Sequence, residues 1–361
     1  MKSFSTRLLK WFKQNARDLP WRSTNDPYKI WVSEVILQQT RVAQGYDYYK
    51  RFIEKFPTVK HLAKSDSDSV MKAWQGLGYY SRARNMHEAA KFIVEERKAL
   101  FPTSYDELIK LKGVGVYTAS AIASIAFNEK KAVVDGNVYR VLSRIFGIAD
   151  PIDTLPGKKL FQELADKLIP EKHAGDFNQA LMEYGATVCK PKSPNCSSCI
   201  FLEECVAARN QLINVLPQKS RKTLVRKRYL NYVFTRHGNK VLIGKRQQND
   251  IWKDLYEFYP VSIDKPLNTE KSIDFLKELT PKKNISSLQI SETFKHQLSH
   301  QTLFCTIVNI RVSQIFSKQG YKWVLIKDLQ KFAFPRLLEM YLTREGFLLP
   351  QKAVNLKRKK I

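Results

Sequence analysis

The chain has 361 residues and a formal charge of +27, with 61 Lys and Arg against 34 Asp and Glu. That length accommodates two or three domains, each with its own core, and the charge calls for an anionic partner; nucleic acid fits better than a membrane surface, because the cations run through the whole chain instead of gathering on one amphipathic helix. No apolar run approaches the roughly 20 residues of a spanning helix, and Lys2, Arg7, Lys10 and Lys13 interrupt the N-terminus too often for a secretory signal, so a soluble cytoplasmic protein is expected, nucleoid-associated if the source is bacterial.

Helical periodicity dominates to about residue 210, predicting helices at 4–16, 28–40, 43–55, 67–75, 80–99, 104–111, 116–127, 137–145, 158–168 and 174–187. Asp26 can cap the second of these, with Pro27 at its first position. Ile30, Trp31, Val32, Val35, Ile36 and Leu37 leave that helix no polar face, yet Glu34 stands among them. A carboxylate in such a place either finds a cation, Arg17 or Arg22 being the candidates, or takes up a proton at a raised pKa and becomes a general acid. Ser104 and Glu107 have capping-box spacing. Gly113-Val114-Gly115 then allows a tight turn between helices, either as a plain helical hairpin or as a phosphate cradle of backbone N–H groups at a helix N-terminus. Asp135, ahead of Gly136 and Asn137, reads as a helix cap, and a cap also fixes a carboxylate in place.

Four of the five cysteines, Cys189, Cys196, Cys199 and Cys205, are spaced C-x6-C-x2-C-x5-C, which suits a metal site better than a disulfide framework; a tetrahedral zinc and a [4Fe–4S] cluster both remain open on spacing alone. Cys305 stands apart as a small buried side chain in a strand. Residues 215–228 read as a basic linker, either a solvated tether or a segment lying along phosphates. From Tyr229 the texture becomes that of an α+β domain, with strands at 230–235, 240–244, 303–312 and 322–326 and helices near 269–279 and 335–345, followed by a basic tail.

The segments SEVILQQT at 33–40, GLGYYSRARN at 76–85, LKGVGVYTA at 111–119 and VDGNVYRVLSR at 134–144, with the cysteine spacing, closely resemble adenine DNA glycosylases of the MutY family within the helix-hairpin-helix superfamily. The resemblance implies a multidomain fold: a mostly α-helical helix-hairpin-helix glycosylase core over 1–214 with an iron–sulfur module, hairpin at 104–127 and cluster loop at 189–205; the linker 215–228; a Nudix-like lesion-recognition domain over 229–350; and the tail 351–361. Trp252 to Pro260 and Phe294 to His300 carry the weaker C-terminal likeness. Leu298 stands where the family has Phe, and the Glu cluster of a Nudix catalytic box is missing, so no pyrophosphatase activity is expected.

The family's chemistry implies a monofunctional enzyme, a monomer away from any membrane, whose partner is double-stranded DNA with adenine opposite 8-oxoguanine or guanine. Glu34 would protonate the extruded adenine, Asp135 would stabilise the sugar cation, and Tyr117 and Asn137 would position them. Arg17, Trp21, Arg22, Leu37 and Gln179 would line the adenine pocket. Gln39, Thr40, Leu77 and Tyr79 would fill the vacated stack, and Ser299 with His300 would read the 8-oxoguanine. Gly113, Val114 and Gly115 would meet phosphate, and the four cysteines would hold a [4Fe–4S] cofactor. Endonuclease III-like lyases for oxidised pyrimidines carry lysine where this chain has Tyr117, which disfavours that alternative; a lesion-binding protein without catalysis would need neither carboxylate.

Overall fold

The computed structural model describes residues 2–220, 225–263, 265, 276, 279–281, 284–298 and 301–349. They fall in two compact units: Met1–Ser65 with Asn85–Lys222, and Asp66–Arg84 with Thr223–Ile361. Ser299, His300, most of the helix expected at 269–279 and the tail 351–361 lie outside the described residues.

Helices occupy α1 (Lys2–Asn15), α2 (Pro27–Leu37), α3 (Val42–Lys55), α4 (Val59–Lys64), α5 (Ser67–Trp74), α6 (Ser81–Glu95), α7 (Tyr105–Leu108), α8 (Val116–Phe127), α9 (Gly136–Phe146), α10 (Leu155–Leu168), α11 (Ala174–Thr187) and α12 (Val206–Arg209). The terminal signals act as expected at α2 and α9: Asp26 accepts from Tyr28 N with Pro27 opening the helix, and Asp135 accepts from Asn137 N and Val138 N. They fail at α7, where the Ser104 side chain makes no capping bond; Glu107 pairs instead with Arg97, 2.8 Å away. Helix α2 stops at Leu37, short of the expected Thr40, because Gln39 turns the chain with φ 58°. Helices α4 and α12 were not anticipated, and at 6 and 4 residues they are too short for a 3.6-residue period to register.

In the first unit, Phe4 and Leu8 of α1 pack with Phe161 of α10, Phe177, Leu181 and Tyr184 of α11, and Phe201 of the cysteine loop. The Phe4 and Phe201 rings stack 4.5 Å apart. The same core holds α9 against α11, so the two helices that carry Asp135 and Glu183 share one apolar seam. Leu216 is buried in this core, Gln218 O accepts from Ile152 N and Ser220 N donates to Asp153. The expected linker is therefore packed down at its start, where one large apolar side chain and paired backbone groups replace the solvated tether. Its far end is also ordered, since Arg226 to Arg228 already belong to a strand.

The second unit contains β1 (Arg226–His237), β2 (Lys240–Lys245), β3 (Tyr256–Glu257), β4 (Tyr259–Val261), β5 (Ile285–Ile290), β6 (Phe294–Gln297), β7 (Gln301–Val312) and β8 (Tyr321–Leu325), then a 3-10 turn at Ile326–Lys331 and α13 (Arg336–Arg344). The strands form one mixed sheet in the order β3-β2-β1-β7-β5, with β4 on β1, β6 on β7 and β8 on β2. Strands β1 and β7 run parallel from Arg226↔Gln301 to Arg236↔Arg311, and the other pairs are antiparallel. Leu230 to Thr235 are buried without interruption, the mark of a central strand covered on both faces.

Helix α11 approaches α9 closely at Gly185: a Cβ there would lie 2.7 Å from Asn137 Cβ and 2.9 Å from Asn137 O. Gly185→Ala should therefore cost about 1–3 kcal/mol by overpacking, read as a lower urea midpoint at unchanged slope.

Candidate active site

Glu34 sits on a helix whose Tyr28 and Ile30 to Ile36 are all buried, and its own exposure is 6 %. Its neighbours decide its charge. Neither arginine reaches it as a salt-bridge partner. Arg17 Nε and Nη2 grip Glu183 at 2.6 and 2.7 Å, and Arg22 Nη2 reaches the same carboxylate at 2.7 Å. Glu183, on α11, is the residue that motif reading missed, although it carries the same signal as Glu34: an acid inside an apolar helix. Burial would push Glu183 up, yet its two arginines hold it below the usual carboxylate range.

Glu34 instead accepts one neutral hydrogen bond, from Tyr117 Oη at 2.7 Å, near the N-terminus of α8. Burial raises its pKa to about 7, helped by the nearby Asp135 carboxylate and opposed by the Tyr117 bond and the Arg22 charge. Burial also holds the Tyr117 phenol well above its usual value, so the hydroxyl stays protonated and donating. Of the two possibilities for this side chain, ion pair or protonatable acid, the geometry selects the acid.

Asp135 is held by three donors. Its Oδ1 accepts from Asn137 N and Val138 N, both at 2.8 Å, and its Oδ2 from Asn137 Nδ2 at 2.8 Å. Burial raises its pKa, against the lowering by these bonds and by the Arg140 charge. Arg140 fixes the orientation of the Asn137 amide: its Nη2 donates to Asn137 Oδ1 at 2.8 Å and to Gly185 O at 2.6 Å, while its Nε donates to Cys189 O at 2.7 Å. No spacing pattern announces that arginine, which works through backbone carbonyls from three segments.

Glu34, Tyr117, Asp135 and Asn137 line one open cleft. The expected pocket residues Arg17, Trp21, Arg22, Leu37 and Gln179 line it too, as does Thr40. Gln39 is exposed and does not line it; Leu77 and Tyr79 occupy the turn between α5 and α6 in the other unit, Leu77 buried and Tyr79 48 % exposed. Gly113 has φ 76°, and a Cβ there would strike Asn85. Gly115 is exposed at the N-terminus of α8, but Val114 is buried and its N–H is bonded to Leu111 O. That residue anchors the hairpin, and its donor is not open to a phosphate.

The four clustered cysteines are free thiols lining one small pocket with Arg144 and Tyr184. Tyr184 Oη donates to Cys199 Sγ at 3.0 Å, and Arg144 Nη1 to Cys189 Sγ at 3.5 Å. Among the described residues no group of three or more His, Cys, Asp or Glu side chains is arranged to hold one metal ion. Four thiol donors lining one pocket fit a thiolate-bound centre, and that donor set serves a tetrahedral zinc as well as a [4Fe–4S] cluster.

The Glu34 environment has a consequence for stability. A pKa of about 7 in the fold exceeds the ordinary 4.5, so the folded state binds the extra proton between those values. The stability this proton provides is complete below about pH 4.5 and is lost as pH rises through about 7, some 3 kcal/mol in order of magnitude. Glu34→Gln should remove that decline, and the difference between the two unfolding-versus-pH curves measures it.

Residues 32–171 match the model of the HhH-GPD superfamily of base excision DNA repair proteins, and residues 231–344 match that of the NUDIX domain. An adenine DNA glycosylase of Buchnera aphidicola from Acyrthosiphon pisum is 34 % identical over 94 % of this chain and 96 % of its own. The adenine DNA glycosylase of Mus musculus is 48 % identical over 57 % of this chain and 42 % of its own. Among solved structures, a thermostable thymine-DNA glycosylase superposes with a TM-score of 0.54 at 30 % identity, over 58 % of this chain and 96 % of that one. No helix among the described residues is long and apolar enough to cross a membrane. With a full-length relative at this identity and both domain models matched in order, the chain belongs to the adenine DNA glycosylase family.

Proposed function

We propose that this protein is a monofunctional glycosylase that extrudes adenine mispaired with 8-oxoguanine or guanine from double-stranded DNA and hydrolyses its N-glycosidic bond. The observation that carries this reading is Glu34: a buried carboxyl that accepts from a phenol and not from an arginine, with a pKa of about 7, in one cleft with a thrice-bonded Asp135. An acid poised near neutrality can deliver its proton to N7 of the extruded base, so adenine leaves as a neutral molecule and not as an anion. Asp135 faces the sugar cation that forms as the bond breaks. Water then adds to the sugar, returning its proton to the Glu34 carboxylate, and the products are adenine and an abasic site.

Arg17 and Arg22 lie in the cleft with their strongest pairing on Glu183, which leaves donors for a base while burial still outweighs the lowering of the Glu34 pKa by the Arg22 charge. Tyr117 holds the position at which lyase relatives use a lysine amine, and a phenol forms no Schiff base, which supports hydrolysis without strand cleavage. Cys189, Cys196, Cys199 and Cys205 would hold a [4Fe–4S] cluster, whose iron–thiolate bonds would tie the loop to the helical core. Reading of 8-oxoguanine falls to Ser299 and His300, beyond the end of β6 and outside the described residues.

Single-turnover base release from a duplex with adenine opposite 8-oxoguanine tests the reading, with guanine and cytosine opposite as comparisons. Glu34→Gln should lose on the order of 10²–10⁴-fold and Asp135→Asn roughly 10²–10³-fold, with no strand scission before alkali; undiminished release by Glu34→Gln overturns the assignment. The rate should fall above about pH 7 as Glu34 ionises. Since the Tyr117 hydrogen bond lowers the Glu34 pKa, Tyr117→Phe should move that alkaline limb upward.

A further inference from the structure

We propose that the Nudix-like fold sets the position of the Tyr79 turn through a clamp on Asp68 and Arg84, which makes Lys245 and Tyr256 positioning residues for base extrusion. The inference rests on the reading of Tyr79 as the side chain that enters the vacated stack. Although residues 66–84 fall within the glycosylase-like sequence, they share a compact unit with the mixed sheet.

The clamp begins in the first turn of α5. Asp68 Oδ1 accepts from Lys245 Nζ at 2.6 Å and its Oδ2 from Tyr256 Oη at 2.7 Å. Lys245 and Tyr256 are register partners across β2 and β3, so they project on the same face of the sheet and grip both oxygens of one carboxylate from one cross-strand pair. The phenol is itself braced: Lys322 Nζ donates to Tyr256 Oη at 3.3 Å and lies 4.5 Å from the Phe332 ring centre. At the next turn of α5, Lys72 Nζ donates to Phe332 O at 3.0 Å. Beyond the Tyr79 turn, Arg84 Nη1 donates to Lys253 O at 2.7 Å, and its Nε lies 3.7 Å from Asp254 Oδ2.

Between these anchors the chain is bent hard. Gly76 has φ 96°, Gly78 φ 73° and Tyr79 φ 47°, the last a left-handed conformation unfavourable for an aromatic residue. Trp74 Nε1 and Arg82 Nη2 both donate to Gly78 O, at 3.2 and 3.1 Å, and the Arg82 guanidinium lies 5.6 Å from the Tyr79 ring centre. A strained backbone persists only where its surroundings over-determine it. Here the surroundings include the β2–β3 pair before the turn and the loop joining those strands after it, and the result is an aromatic ring left 48 % exposed. The domain that reads the opposite base thereby holds the side chain that takes the place of the extruded one.

The test follows extrusion separately from chemistry. In the full-length protein, 2-aminopurine replaces the target adenine and its fluorescence rise reports unstacking in a Glu34→Gln background; single-turnover excision is measured in the otherwise unaltered chain. Lys245→Met and Tyr256→Phe should slow the fluorescence rise and excision together by about tenfold, below the roughly 100-fold cost of a 1 Å misplacement, and leave the Glu34 alkaline limb where it was. The double exchange Asp68→Lys with Lys245→Asp should recover most of the loss, and Arg84→Ala should reproduce it from the other anchor. An unchanged fluorescence rise in both single variants overturns the clamp, as does a slowing accompanied by a displaced pH limb, which would mean a disturbed cleft. Tyr79→Ala separates the two levels: if it leaves extrusion unchanged, the reading of Tyr79 fails, whereas if it slows extrusion while the Lys245 and Tyr256 variants do not, only the clamp fails.

Discussion

Two arginines and two buried glutamates meet in the cleft of the helical unit, and the way they pair governs what the site can do. Both arginines close on Glu183, on α11. Had either closed on Glu34, a guanidinium in a low-dielectric cleft would have stabilised the carboxylate and carried its pKa below neutrality. With the cations spent on Glu183, Glu34 is left to an apolar helix and one phenol, and desolvation dominates its titration. The second glutamate thus keeps the arginines from holding the first in its ionised form.

The other acid of the cleft is treated in the opposite way. Asp135 receives donors from the first turn of the helix it caps, and Asn137 supplies both a backbone and a side-chain bond because Arg140 occupies the amide oxygen. Arg140 in turn bonds carbonyls at Gly136, Gly185 and Cys189, so the carboxylate inherits its position from α9, α11 and the cysteine loop together. One carboxyl surrounded by hydrocarbon and one surrounded by donors give two unequal acids in a single cleft, the arrangement that paired-carboxylate glycoside chemistry uses. In the second unit, β2 and β3 hold Asp68 of a helix more than 170 residues earlier in the chain. The boundary between the units does not follow the order of the chain.

Much of this was legible in the residues alone. Asp26-Pro27 and Asp135-Gly136-Asn137 are local signals, and a cap depends on side chains within three residues of the groups it satisfies. The run from Ile30 to Leu37 had to be buried whatever it packed against, and Glu34 with it. The strand at Leu230 to Thr235 was legible as a β-rich run, though its central, fully buried place was not, and the cysteine spacing announced a shared site. Short or irregular pieces did not: α4, α12 and strands β3, β4 and β6 have too few residues for a period, β5 is six residues long with an irregular burial pattern, and Ser104 has capping spacing without the capping bond.

What composition and spacing determined was therefore the set of groups that must be hidden and the turns that must be capped, because both follow from desolvation and from backbone donors a few residues away. What only the tertiary structure decided was which hidden group meets which: that Arg17 and Arg22 choose Glu183, that Tyr117 reaches Glu34, that Val114 faces the core and not a phosphate, and that Asp68 is held by a strand pair. Those pairings join residues between 83 and 188 positions apart. Coulomb and hydrogen-bond energies act over a few ångströms, so partners that far apart in the chain are assigned only when the helices and strands have packed.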